Sequence, residues 1–264
     1  GALTALDTTV TCDGSVATCA GNGTVIKGRY IPNGDYYYSA YSDLYNHYGD
    51  SSHDCTLANG KYLANSEVTH DAIKVEINKV EYLFSDLQGA LDFANDGDTV
   101  KLLSDIYVTD GLNIKDKNIT LDLNGKTIAN TEDIWDKQAA LLCIENSAVT
   151  ITGNGKMLAK ENDCYTINLV SGSLTIENGE FVGNVSAVQV VKGTLTINGG
   201  TFSLLQKWEG KSTYLINCID DALVGGEAAV AVKGGKFVDF DPNNSPEKKV
   251  DGVAPSFVAP GVGI

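Results

Sequence analysis

At 264 residues the chain has room for one large domain, or for one domain and an attachment region, and a composition 43% hydrophobic and 20% charged is globular rather than disordered. Its net charge of −15, from 34 acidic against 19 basic residues, repels phosphate backbones and sets nucleic acid aside as a partner. No apolar run approaches the roughly 20 residues of a membrane span, and the 28 glycines against 5 prolines suit many short strands turned by glycine.

The chain opens on Gly1 without a methionine and shows no leader of charged then apolar residues, so it reads as a processed or excised form. Residues 1–70 stand apart as a Tyr-rich attachment segment. Within them Ala2–Val10 and Gly23–Ile31 read as short strands. The segment holds Arg29, which is the only arginine, and His47, His53 and His70. It also holds the tyrosines Tyr36, Tyr37, Tyr38, Tyr41, Tyr45 and Tyr48, candidate binding residues because their rings offer rigid, amphipathic contact area for a partner or a sugar. The plainer alternative is a small β-rich cap whose tyrosines pack on one another. A disulfide is expected from Cys12 to either Cys19 or Cys55, while Cys143, Cys164 and Cys218 lie in apolar contexts and read as buried thiols. No CxxC or Cys/His metal spacing appears.

Residues 71–98 read as a linker and a capping helix. Ser85 with Gln88 has the form of a capping box opening a helix through Ala94, and Leu87, Ala90, Leu91 and Ala94 fall on one face of it. Asn95–Asp98 ends the helix, and Thr99–Leu103 begins a strand.

Residues 99–264 repeat one phrase. Asn118–Ile128, Ala148–Met157, Ser173–Phe181, Thr194–Phe202 and Ala229–Phe237 each alternate apolar and polar residues, turn at Asn-Gly or Gly-Gly, and restart on a large apolar residue. The corner glycines at 125, 155, 179, 200 and 235 are 30, 24, 21 and 35 residues apart. Hairpins give no reason for such a recurrence, whereas a coil of parallel strands returns to the same face about 4.8 Å further along each time. Ile151, Ile176, Ile197 and Val232 are then predicted to stack inward as a ladder. The longer intervals place loops at 131–138, carrying Trp135, and 205–227, carrying Trp208; these two rings complete the candidate binding residues.

The run Phe84–Leu91, Asp96–Val100 and Ile119–Ile128 resembles the opening of pectate-lyase-like β-helix proteins of gut bacteria and their phages. The stretches Tyr214–Asp220, Gly234–Phe237, Asp241-Pro242 and Ser256–Ala259 resemble the closing part of the same group, so the likeness spans residues 80–262. It implies an all-β, right-handed parallel β-helix (solenoid) with a short N-terminal capping helix and a separate β-rich N-terminal segment. Relatives of this kind continue further, so the stop at Ile264 reads as a truncation.

One fold hosts many functions. Lyases of this group resemble one another in using a basic residue, commonly arginine, beside a calcium-bound uronate. Residues 99–264 contain neither arginine nor histidine. Asp220-Asp221 superficially resembles the acidic pair of polygalacturonase-type hydrolases, which need two carboxylates at fixed separation; the bland reading is acidic residues at the base of a loop. No catalytic residue is assigned beyond that alternative, and no metal beyond a structural calcium at Asp239, Asp241 and Asn243, where oxygen ligands alternate in what otherwise reads as a solvated turn. The layout resembles a phage fibre. The expectation is a non-enzymatic structural or binding protein of the virion surface, a homo-oligomer for which a trimer is one form, meeting capsid or tail proteins through its N-terminal segment. The alternatives are a bacterial surface adhesin binding glycans, and a polysaccharide lyase or glycoside hydrolase.

Overall fold

The computed structural model describes residues 73–262, except 85, 133, 135–137, 161–164 and 207–212, together with short strands within residues 1–72. The chain divides into two units, Gly1–Phe93 and Ala94–Ile264.

In the first unit, β1 (Thr11–Cys12), β2 (Ala17–Thr18), β5 (Cys55–Ala58) and β6 (Lys61–Leu63) form an antiparallel sheet in the order β2-β1-β5-β6, and its register sets Cys12 opposite Cys55. The stretch Gly23–Ile31 divides into β3 (Val25–Ile26) and β4 (Arg29–Tyr30), which pair antiparallel across Lys27-Gly28. Ala2–Val10 and Cys19 lie outside the described residues. The segment 71–98 begins not with a linker but with a hairpin, β7 (Ile73–Ile77) against β8 (Val80–Phe84). Its two-residue turn holds Asn78 and Lys79 at φ 51° and 70°. Such turns are usually announced by Asn-Gly, and lysine in the second place hides the signal.

Helix α1 (Leu87–Phe93) buries Leu87, Ala90 and Leu91, as their spacing requires. Its cap sits one residue later than expected: Asp86 Oδ1 accepts the Gly89 N–H at 2.7 Å. Ser85, and with it the Ser85–Gln88 capping box, lies outside the described residues, and Gln88 donates forward to Asp92 at 2.8 Å. Phe93 closes on Tyr82 and Phe84, with ring centroids 5.2 and 5.8 Å away.

The second unit is built from parallel sheets. Among its described residues the first sheet runs β9 (Thr99–Leu102), β12 (Asn118–Asp122), β15 (Ser147–Thr152), β18 (Gly172–Ile176), β21 (Gly193–Ile197) and β24 (Ala228–Val232). The second runs β10 (Ile106–Val108), β13 (Thr127–Asn130), β16 (Lys156–Leu158), β19 (Glu180–Gly183), β22 (Thr201–Leu204) and β25 (Lys236–Phe237). The third runs β11 (Leu112–Lys115), β14 (Ala140–Glu145), β17 (Tyr165–Leu169), β20 (Val188–Val190) and β23 (Ile216–Cys218). Successive strands visit the three sheets in rotation, and each lies parallel beside the strand three before it.

Register then follows from the alternating pattern. Val100, Leu121, Ile151, Ile176, Ile197 and Val232 are cross-strand neighbours along the first sheet, all at 0% exposure. The ladder expected from Ile151, Ile176, Ile197 and Val232 is therefore present. Each such aliphatic contributes roughly 1.5–3 kcal/mol on burial. A second column, Ile106, Ile128, Met157, Phe181, Phe202 and Phe237, lines the second sheet. A third, Ile114, Ile144, Leu169, Val190 and Cys218, lines the third sheet.

The connections are unequal. The first four from third to first sheet are tight, with Asp116 and Asn146 at φ 55° and 46° and Gly172 and Gly193, which open their strands, at 100° and 94°; the fifth, 219–227, is longer. Those from second to third sheet carry the excursions: 131–139, 159–164, 184–187 and 205–215. The loop predicted at 205–227 is thus shorter than expected, because β23 and a helix, α2 (Asp220–Gly225), occupy its second half. After β25 the chain folds back, and Val232 donates to Phe257 O at 2.6 Å while Ala259 donates to Val232 O at 2.8 Å.

Candidate functional site

The corners between the first and second sheets stack into a groove of about 400 Å³, lined by Asn154, Lys156, Asn178, Glu180, Thr201 and the corner glycines. Backbone bonds join one corner to the next: Lys156 donates to Lys126 O, Glu180 to Gly155 O, Thr201 to Gly179 O and Lys236 to Gly200 O, at 2.8–2.9 Å. The glycines serve two purposes. Gly179 stands at φ 116°, which side chains rarely adopt. At Gly155 the positive φ is supplied two residues earlier by Gly153, at 82°; a Cβ on Gly155 would lie 2.3 Å from Lys126 O, so close approach is the constraint there. Lys156 pairs with Glu180 at 2.9 Å across adjacent strands, and Asn198 donates to Glu177 at 2.9 Å. The surface so made is one of amide, hydroxyl and paired charged groups, suited to hydrogen bonding.

On the third sheet the residues between the buried ones form a second column: Asn113, Cys143, Asn168, Gln189 and Asn217. Cys143 is therefore half-buried rather than inside the core, because β14 turns its inward face at Leu142 and Ile144. Burial pushes its thiol up to about 11, against the Asn168 hydrogen bond, which lowers it.

A third constellation lies where β23 meets the returning C-terminal segment. Cys218, 1% exposed, donates its N–H to Glu247 Oε1 at 2.8 Å. Glu247 is itself 2% exposed, and its Oε2 has no hydrogen-bond partner. Burial pushes its carboxyl up to about 7; the Cys218 N–H lowers it and the Asp220 charge raises it. Burial, then Glu247 and Asp220, push the Cys218 thiol up to about 12.

Asp220 and Asp221 belong to the first turn of α2 rather than the base of a loop. Asp220 Oδ1 accepts the Lys248 N–H, and Asp221 Oδ1 stands 3.7 Å from Lys248 Nζ. Consecutive helical residues point about 100° apart, so the two carboxylates do not face one another across a gap. Asp241 Oδ1 accepts the Asn243 N–H at 2.9 Å and closes an Asx turn over the Asp239–Asn243 stretch. Among the described residues no three His, Cys, Asp or Glu side chains gather as a metal site. Tyr36, Tyr37, Tyr38, Tyr41, Tyr45, Tyr48, Trp135, Trp208 and Cys164 lie outside the described residues. Glu247 escaped the sequence reading because its partner Cys218 is 29 residues away and no local motif marks it.

No protein-family profile, no curated protein and no solved structure matches this chain.

Proposed function

We propose that residues 94–264 wind as a right-handed parallel β-helix whose work is structural and adhesive, as the shaft of a phage fibre or capsid-decoration protein attached through residues 1–70. The observation that carries this reading is the unbroken buried column from Val100 to Val232, in register across every strand of the first sheet. Rotation of successive strands through three sheets supports a coil, and parallel crossovers are right-handed in about 98% of cases. Supporting the non-catalytic reading, residues 94–264 carry no arginine or histidine to move a proton. The fibre would act as a homo-oligomer, a trimer in our reading, held to capsid or tail proteins and displayed on the virion surface.

A second reading, a glycan-binding module of a bacterial surface, draws on the groove of Asn154, Asn178, Lys156 and Glu180. Immunogold imaging with antibody against residues 94–264, applied to particles and cells of the source culture, separates the two. Label on virions is expected; label confined to cell envelopes overturns the fibre in favour of the adhesin. Incubation with acidic polysaccharides and calcium, followed by ultraviolet detection of new double bonds and a reducing-end assay, is expected to give no turnover. Turnover lost on Asp220→Asn or Asp221→Asn would make the protein an enzyme.

A further inference from the structure

The third sheet ends at β23, and a terminal strand is a row of unpaired backbone groups open to another chain. Ile219 donates back to Val190 O at 3.0 Å, so the Cys218 N–H, one residue earlier, points away from β20 to the open side. A side chain, not a strand, meets it there: the carboxylate of Glu247. The same segment is tied down by the Lys248 N–H on Asp220, by Ser245, whose N–H and hydroxyl both reach Pro255 O, and by Tyr214 OH on Pro246 O at 3.4 Å.

This arrangement costs more when Glu247 is charged. It is nearly sealed from water, one of its oxygens accepts nothing, and the acid nearest to it, Asp220 on α2, carries the same sign. The other groups around it are the neutral Cys218 thiol on β23, Asp221 on α2, and Lys248 on its own segment, whose ammonium faces Asp221. Among the described residues no cation pairs with Glu247.

We propose that the segment Ser245–Lys248 is a proton-dependent latch on the open edge of the third sheet, held shut while Glu247 is protonated and loosened when it ionises. The sign follows from which form binds the proton. The carboxyl, raised to about 7 when docked, returns toward 4.5 when released, so the docked form binds more protons over that window. Docking is then strongest below the released value and weakens as pH rises toward 7, with no further loss above.

Hydrogen exchange at the Cys218 and Lys248 amides, corrected for intrinsic rates and followed by NMR in the full chain, tests this. The opening constant is expected to climb by up to about tenfold per pH unit between pH 5 and 7 and then level off, while the Val191 amide, bonded to Leu169 O just past β20, stays flat. Glu247→Gln keeps the hydrogen-bond acceptor without the charge and is expected to abolish the slope. Asp220→Asn is expected to move the plateau to lower pH. Direct titration of the Glu247 carboxyl carbon in the unaltered chain guards against a variant that fails to fold. A midpoint in the ordinary carboxylate range, or the same slope in Glu247→Gln, overturns the latch.

Discussion

Phe202 and Phe237 stack with ring centroids 5.1 Å apart and planes 7° from parallel, two adjacent strands of the second sheet presenting the same side chain at the same place. Phe181 extends the stack on the other side of Phe202, at 5.2 Å and 15°. An aromatic with a ring against each face has no room to be replaced by relaxation of its neighbours. Phe202→Ala is therefore expected to cost about 3–5 kcal/mol of unfolding free energy in denaturant titration. Phe237→Ala, at a half-buried position, is expected to cost less.

Gly172 turns the tight corner between third and first sheets at φ 100°, and a Cβ there would meet Ser147 O at 2.1 Å. Both backbone strain and a collision with the preceding corner oppose any side chain. Gly172→Ala is expected to lose about 3 kcal/mol or more in the same titration. Gly97 is a control, with φ 86° but nothing within 4 Å of the added carbon. Gly97→Ala pays the conformational term alone, about 1 kcal/mol.

Thr166 is 0% exposed, and its hydroxyl has no hydrogen-bond partner in the protein. Threonine and valine have nearly the same shape, so Thr166→Val removes a buried, unsatisfied group without opening a cavity. The variant is expected to match or exceed the parent's unfolding midpoint by an amount worth about 1 kcal/mol. A loss of 1 kcal/mol or more would show that the hydroxyl is satisfied.

Thiol chemistry gives a third kind of check. With Cys143 raised to about 11 and Cys218 to about 12, almost none of either exists as thiolate at pH 7.5. Alkylation by iodoacetamide followed by peptide mapping is expected to be on the order of a hundredfold slower at Cys143 than at an ordinary exposed thiol. Cys218 should be slower again, since it is buried, and both should label fully in denaturant.

The repeating strands were legible because their signal is local and repeated: alternation places Ile151, Ile176 and Ile197 on one face, and Asn-Gly corners mark where each phrase ends. Non-repeating contacts left no such trace. The hairpin at Asn78-Lys79 lacks the glycine that announces its turn, and the cap of α1 falls on Asp86 because Ser85 and Asp86 are both cap-forming types. Helix α2 is too short, at 6 residues, for a 3.6-residue period to emerge from sequence. Glu247 is the furthest from legibility. A single acid in a charged stretch, beside Lys248 and Lys249, looks solvated until the fold brings it against β23.

The unequal connections of the second unit carry a practical consequence. The short corners at Asp116 and Asn146, held at positive φ, leave little room for added length, whereas the second-to-third connections already differ widely from one repeat to the next while the strands on either side keep their register. Foreign peptides spliced between Thr109 and Asp110, the exposed residues of 109–111, the shortest of them, should be carried as protrusions without shifting a single cross-strand partner, whereas 184–187, with Asn184, Ser186 and Ala187 at 0% exposure, should not accept them. The same edge is where natural variants of this chain can acquire new surface chemistry at little cost to the frame that holds it.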